Sequence, residues 1–182
     1  MLHCDSATAF AEFIMSLCLG MAKTAMDRNG VFDKFTGDGI LAFFPKFYSG
    51  PDHAVWALRA AIDCQNLFRA HFDRFASHFK RLPADTGLGI GIDSGMITIS
   101  VMNDDIVIVG EPVVYACRFS SAASYGQTLL NQGAFAAAVR RKALSKKFVS
   151  KACQIKEGLF LAHCYRGAFP KLRLSVPAWE ET

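Results

Sequence analysis

Two short apolar runs on either side of Gly37-Asp38-Gly39 predict a β-hairpin. The first run is Val31–Phe35 and the second is Ile40–Phe44, which Pro45 ends. An Asp-Gly pair between apolar runs is a strong short-range hairpin signal. A carboxylate between two glycines keeps its oxygens free and lets a phosphate approach the backbone, which would suit a hard divalent cation. An ordinary tight turn without a ligand explains the same residues.

The rest of the chain alternates between helical and strand patterns. Apolar residues at helical spacing predict helices over 7–29, 51–79 and 112–125. Short apolar runs bounded by turn residues predict strands over 88–92, 96–102, 106–109 and 127–131, the last followed by a short helix, and a hairpin over 146–166. This order predicts an α+β domain over residues 1–169, with a mostly antiparallel sheet and helices on one face. The tail, residues 170–182, contains prolines and is expected to be poorly ordered.

Composition and charge favour a globular domain that acts on a small anionic substrate. The chain has 182 residues, of which 52% are hydrophobic, and this supports a sizeable core. The formal net charge of +4 is modest for a nucleic-acid binder and suits a nucleotide. The basic stretch Arg140–Lys151 alone would support a nucleic-acid or polymerase-like function, and it is more typical of a solvated face. We therefore expect no nucleic-acid partner.

Neither a membrane segment nor an oxidising compartment is indicated. The longest apolar stretch, Thr8–Ala22, carries Glu12 and is shorter than the roughly 20 residues that span a bilayer. No basic region precedes an apolar core at the N-terminus, so a signal peptide is not predicted. The six cysteines include no CxxC pair, which disfavours a zinc site and predicts free thiols. Cytoplasmic localisation is the expectation.

Three segments, taken together and in this order, resemble the catalytic domain of class III adenylyl and guanylyl cyclases. They are the hairpin segment that begins at Lys34, the segment Gly91–Gly95, and the segment Val107–Arg118. They match the family patterns K-x-x-G-D-x-x-x-A-x-F, G-I-x-x-G and V-x-G-x-x-V-N-x-A-x-R. Neither a Walker loop nor a dinucleotide-binding loop fits these glycines, and the chain has no GGDEF-like run that would indicate a diguanylate cyclase.

The resemblance implies a ferredoxin-like βαββαβ core that dimerises and forms composite sites between two chains. The implied reaction joins the 3′-hydroxyl of a nucleoside triphosphate to its α-phosphorus and releases pyrophosphate, with two Mg²⁺ or Mn²⁺ ions held by two carboxylates. By the same resemblance, Asp38 is a metal ligand and Arg118 stabilises the transition state. Lys34 would read the base and favour ATP, and Lys156 would contact the triphosphate, a role for which an exposed strand lysine is the alternative.

Several positions depart from the family pattern. The first metal-binding aspartate of the family lies on an opening strand, further before Asp38 than this sequence extends. The transition-state asparagine is Val114 here, and the second base-reading position is Val107. Valine cannot form the hydrogen bonds of either residue, and losing one transition-state donor typically costs about 10²–10³ in rate. The turn between Met102 and Ile106 is also shorter than the usual dimerisation arm.

Two functions stay open at this point. The first is a nucleotidyl cyclase that works as a homodimer or with a complementary cyclase chain and is impaired as given. The second is a non-catalytic cyclase-like module for signalling or dimerisation. Formation of cyclic nucleotide in the presence of metal would distinguish them.

Overall fold

The computed structural model describes residues 3–4, 7–81, 86–103, 105–175, 177 and 179. Within them the α-helices are α1 Ala7–Met26, α2 Lys46–Ser49, α3 His53–Phe75, α4 Glu111–Ala122 and α5 Gln132–Ala138. The strands are β1 His3–Cys4, β2 Val31–Phe35, β3 Ile40–Phe43, β4 Phe79–Arg81, β5 Ile90–Ile92, β6 Thr98–Met102, β7 Asp105–Val109, β8 Thr128–Leu130, β9 Phe148–Ile155 and β10 Gly158–Tyr165. The predicted elements are confirmed, whereas α2 and the β1–β4 pair were not predicted. The helix predicted over 51–79 ends at Phe75 because the chain turns to bury Phe79.

A four-stranded sheet in the order β5-β8-β10-β9 forms the centre of the fold, and β5–β8 is its parallel pair. Successive residues on a strand point to opposite faces. Leu129 accordingly packs with Phe119 of α4, while Leu130 packs with Leu58 of α3. The α+β class with mostly antiparallel pairing is confirmed, with one difference: helices cover both faces of this sheet. The sequence of β8, Thr-Leu-Leu, is apolar on both sides and so requires cover on each.

The β2–β3 hairpin lies outside the central sheet as a two-stranded sheet of its own. Ile40 of β3 and Ile90 of β5 pack against the same core cluster, which is built around Phe13 of α1. In the described residues, however, no hydrogen-bonded ladder joins these two strands. Helix α1 packs against β2, β3 and α3. The hairpin that carries Asp38 is therefore positioned mainly by α1.

Helix α1 is longer than the apolar stretch noted in the sequence. Its 20 residues are long and apolar enough, by length and composition alone, to cross a membrane. However, Phe13, Leu17 and Met21 are buried in the core and the helix packs against α3. A core helix of a globular domain has this same combination of apolar composition and a buried face.

The beginning of the C-terminal tail packs against α3, contrary to the expectation of poor order. Leu172 and Leu174 contact the core cluster that contains Leu58. The backbone N–H of Ser175 donates a 2.8 Å hydrogen bond to Asp52 Oδ2, and Asp52 Oδ1 accepts a 2.9 Å bond from Arg141 Nε. Burial alone would raise the pKa of Asp52, but these bonds and the charge of Arg141 hold it below its ordinary value. The alternating apolar residues Leu172 and Leu174 therefore hold this part of the tail against the domain, although its prolines had suggested poor order.

Candidate active site

The tip of the β2–β3 hairpin presents Asp38 to solvent, as the sequence predicted. Gly37 adopts a φ of +91°, which glycine tolerates and other residues rarely adopt, and the N–H of Thr36 donates a 2.9 Å bond to the Gly39 carbonyl. The thiol of Cys18 on α1 lies 3.8 Å from the same carbonyl oxygen. Burial, and secondarily the charge of Asp38, raises the pKa of the Cys18 thiol.

Lys34 lies on β2 beside a buried carboxylate that the sequence analysis did not single out. Its Nζ lies 3.3 Å from Asp33 Oδ2, and the Asp33 side chain is 1% exposed. A bulge between Phe32 and Lys34 places Asp33 as the extra residue of the strand. Neither oxygen of Asp33 has a hydrogen-bond partner in the described residues. The ammonium group of Lys34 therefore forms an ion pair with the buried carboxylate of Asp33.

Arg118 on α4 pairs with Glu157, which follows Lys156 in the β9–β10 turn. Arg118 Nε donates a 3.1 Å hydrogen bond to Glu157 Oε1. Desolvation would raise the pKa of Glu157, but the bond from Arg118 and the charges of Arg118 and Lys156 lower it below the ordinary value. The predicted transition-state arginine is thus already paired, and Glu157 was not foreseen because it lies 39 residues away in the sequence.

The two valines of the third segment have different surroundings. Val114 is 47% exposed and lies one helical turn before Arg118, so the two side chains share a face of α4. Val107 lies on β7 and pairs with Ser100 of β6. An exposed valine beside Arg118 offers no hydrogen bond to a substrate.

The Gly91–Gly95 segment allows helix α4 to pack closely against strand β5. A Cβ on Gly91 would overlap the Ala116 carbonyl oxygen and lie 2.8 Å from Phe119 Cβ, so α4 contacts β5 directly at this point. Asp93 follows β5 and accepts a 2.6 Å hydrogen bond from Asn131 Nδ2. Burial is the main cause that raises the pKa of Asp93 to about 6. This motif therefore fixes α4, and with it Arg118, against the sheet.

The predicted site residues fall into two separate groups. Asp38 and Lys34 belong to the hairpin, and Arg118 and Lys156 belong to the α4–β9/β10 surface. In the described ranges no hydrogen bond or ion pair joins one group to the other. The same ranges contain no cluster of three His, Cys, Asp or Glu side chains that could hold a metal ion. Asp38 alone does not complete a two-carboxylate metal site.

Sequence comparisons identify no relative of this chain. No protein-family profile matches it, and no curated protein matches it either.

Comparison of the structure with solved structures gives a consistent result. The chain superposes on the adenylyl cyclase CyaB from P. aeruginosa with a TM-score of 0.72 and 18% identity, covering 90% of this chain and 85% of that one. It superposes on the guanylyl cyclase Cya2 with a TM-score of 0.75 and 21% identity, over 93% and 86% of the two chains. For the guanylate cyclase domain of RhGC from Catenaria anguillulae in complex with GTP, the TM-score is 0.64 at 19% identity, over 88% and 85%. The described chain therefore has the fold of the class III adenylyl and guanylyl cyclase catalytic domains.

Proposed function

We propose that this chain is a cyclase-type signalling domain that binds a nucleoside triphosphate, with ATP favoured, at a site shared with a second cyclase-type chain. We further propose that its turnover to cyclic nucleotide is strongly impaired. One observation carries the proposal: Asp38 and Lys34 lie on the hairpin, whereas Arg118 lies on α4 beside Glu157, without a contact between them in the described residues. We infer that the two groups act together across two chains, so that a second copy of this chain, or another cyclase chain, supplies the missing half of each site.

Nucleotide binding is supported by the charges of the two groups. The Lys34 side chain is half exposed and can donate to a ring nitrogen of adenine, although it must first exchange its contact with Asp33. Arg118 and Lys156 offer cationic groups to a triphosphate near one turn. Mg²⁺ is usually held by one or two carboxylates together with phosphate oxygens. We therefore propose that Mg²⁺ or Mn²⁺ binds at Asp38 only together with the nucleotide.

Impaired turnover is supported by what surrounds Arg118. Val114, on the same face of α4, cannot donate a hydrogen bond, and the guanidinium is paired with Glu157. Removing one transition-state donor typically costs about 10²–10³ in rate. A homodimer would repeat this defect in both of its sites.

A non-catalytic dimerisation module is the second candidate, and one observation favours it. The β6–β7 hairpin exposes large apolar side chains on both of its faces. The cross-strand neighbours Val101 and Ile106 are 70% and 53% exposed on one face, and Met102 and Val109 are each 61% exposed on the other. Exposed large apolar side chains grouped on one hairpin favour a protein interaction site. A domain that kept this surface could pair with a cyclase chain without turning over nucleotide itself.

Binding and turnover of nucleotide are tested separately. The chain is titrated with ATP and with GTP in the presence of Mn²⁺, and cyclic nucleotide is measured at high protein concentration. We expect metal-dependent ATP binding that Asp38→Asn weakens and that Lys34→Ala weakens more for ATP than for GTP. Cyclic AMP should form slowly or stay below detection. Rapid turnover would contradict the proposed impairment. Absence of any metal-dependent nucleotide binding would contradict the proposed nucleotide site and favour the non-catalytic dimerisation module.

Pairing is tested by sedimentation. Val109→Asp places a charge on the exposed apolar surface of the β6–β7 hairpin and should shift the chain to monomer. Val149→Asp is the matched control, because Val149 is similarly exposed, at 53%, on β9. An equal effect of both variants would contradict a specific interface.

Cytoplasmic localisation is part of the proposal. Five of the six cysteines, Cys18, Cys64, Cys117, Cys153 and Cys164, are free thiols, as the sequence predicted, and the side chain of Cys4 lies outside the described part of the structure. Free thiols are typical of reducing compartments, where ATP and GTP are also found.

Two basic residues of the Arg140–Lys151 stretch form hydrogen bonds within the domain, Arg141 with Asp52 and Lys151 with Gln127. These bonds support a structural role for the stretch over nucleic-acid binding.

A further inference from the structure

A second cationic groove lies between α3 and the C-terminal tail, and it shares no residue with the hairpin or with the Arg118–Glu157 pair. Its volume is about 430 Å³, and its walls include Arg28, Arg59, Lys171 and Arg173, with Trp56 on one side. Ligand-binding clefts usually fall within about 300–1,000 Å³. The groove is therefore large enough for a ligand of nucleotide size.

One carboxylate holds the two arginines of this groove in place. Asp63 Oδ2 accepts from Arg28 Nε at 2.7 Å and from Arg59 Nε at 3.1 Å. The guanidinium of Arg59 also stacks over the Phe169 ring, 4.9 Å from its centroid. The Nη groups of Arg28 and Arg59 have no hydrogen-bond partner elsewhere in the described chain. Two fixed guanidinium groups with free Nη edges suit bidentate binding of phosphate oxygens.

The tail completes the groove and adds two further cations. Its extended backbone turns Leu172 and Leu174 towards the core and leaves Lys171 and Arg173 exposed. Trp56 Nε1 donates to the Ser175 carbonyl oxygen at 3.3 Å, which ties the tail to α3. Four cations line this groove, and among the described residues Asp63 is the carboxylate that pairs with two of them, so the surplus of three positive charges favours an anionic ligand.

We propose that this groove binds a phosphorylated small molecule of nucleotide size. The Nη groups of Arg28 and Arg59 contact its phosphates, and Lys171 and Arg173 neutralise the remaining charge. Trp56 offers an aromatic surface to the non-phosphate part of the ligand. A nucleotide and an inorganic polyphosphate share the phosphate chemistry, and the experiment distinguishes them.

Binding is measured by isothermal titration calorimetry on the full chain, in EDTA so that no metal-dependent site contributes. The probes are sodium tripolyphosphate, ATP and adenosine. We expect saturable, salt-sensitive binding of tripolyphosphate and ATP and none of adenosine. Tighter binding of ATP than of tripolyphosphate would mean that the adenine base contacts Trp56. Equal binding would mean that the groove recognises the phosphates alone. Absence of saturable binding of either phosphate compound at low salt would overturn the proposal.

The double variant Lys171→Gln/Arg173→Gln tests the location. Neither side chain makes a hydrogen bond or ion pair with the described residues, so folding should be unaffected. Affinity should fall about tenfold, since two exposed charge contacts are lost. Lys142→Gln/Lys146→Gln removes the same charge from the exposed 3₁₀ segment before β9 and should leave affinity unchanged. Arg59→Lys keeps the charge but loses the planar fork and should also weaken binding.

Two outcomes would refute the location. Equal losses in the two double variants would mean that net charge alone attracts the ligand. Loss of binding in Arg118→Gln, with binding retained in Lys171→Gln/Arg173→Gln, would move the ligand to the candidate active site. Since the assay contains EDTA, failure here leaves the metal-dependent nucleotide proposal at Asp38 untouched.

Discussion

The contact between Gly91 and α4 makes a strong prediction about stability. In Gly91→Ala the new Cβ would overlap the Ala116 carbonyl oxygen and the Ser120 nitrogen and lie 2.8 Å from Phe119 Cβ. Ordinary carbon contacts need about 3.5 Å. The first two of these atoms belong to the backbone of α4, so no side-chain rotation relieves the overlap. The helix must retreat from β5, and Phe119, which is 2% exposed, must lose part of its packing.

The expected cost is at the upper end of the range for overpacked cores. Such substitutions cost about 1–3 kcal/mol, and a collision with rigid backbone justifies about 3 kcal/mol. With a urea m-value of about 2 kcal/mol/M, the unfolding midpoint should fall by about 1.5 M. Circular dichroism at increasing urea concentration measures this shift.

The matched control is Gly20→Ala in α1. Its Cβ would meet only the end of the Leu67 side chain, at 3.0 Å, which can rotate away. Alanine also gains about 1 kcal/mol of helix propensity over glycine. Gly20→Ala should therefore leave the midpoint unchanged or raise it. If Gly91→Ala unfolded within about 0.3 M of the parent chain, the direct packing of α4 on β5 would be refuted.

Three further predictions concern single side chains. Asp52→Asn should lower the free energy of unfolding by about 2 kcal/mol at pH 7, because the charge-assisted bonds to Arg141 weaken. Since the folded-state pKa of Asp52 is lowered, this stabilisation is present above about pH 4 and is lost as the pH falls, so urea curves of variant and parent should approach each other as the pH falls below about 4. Asp93→Asn should have the opposite pH dependence, because the folded-state pKa of Asp93 is about 6 and its ionisation destabilises the fold as the pH rises. The free energy of unfolding of the variant should exceed that of the parent by about 1 kcal/mol at pH 8, a value reduced for partial exposure, and should equal it at pH 4. Leu129→Ala should cost about 3 kcal/mol in the same assay because Leu129 is fully buried, and a loss below about 1 kcal/mol would contradict its place between α4 and the sheet.

Local sequence patterns predicted the hairpin and most helices because short-range physics governs them. Gly37-Asp38-Gly39 specifies a tight turn, and the apolar spacing of α1 specifies a helix with one buried face. The end of α3 was misjudged because Phe79 leaves the helix for the core, a choice made by tertiary packing. The tail was misjudged for the same reason, since Leu172 and Leu174 find apolar cover only on the folded domain.

The site residues show the same division. The sequence by itself determined where Asp38 stands, since its exposure follows from the turn that holds it. It also determined that Val114, whose side chain cannot form a hydrogen bond, stands where the resemblance to the cyclases expects an asparagine. Only the tertiary structure decided that Arg118 pairs with Glu157 and that Arg28 and Arg59 converge on Asp63, because these partners come from distant segments. The fixed directions of packed helices and strands, which no local pattern encodes, bring those charges together.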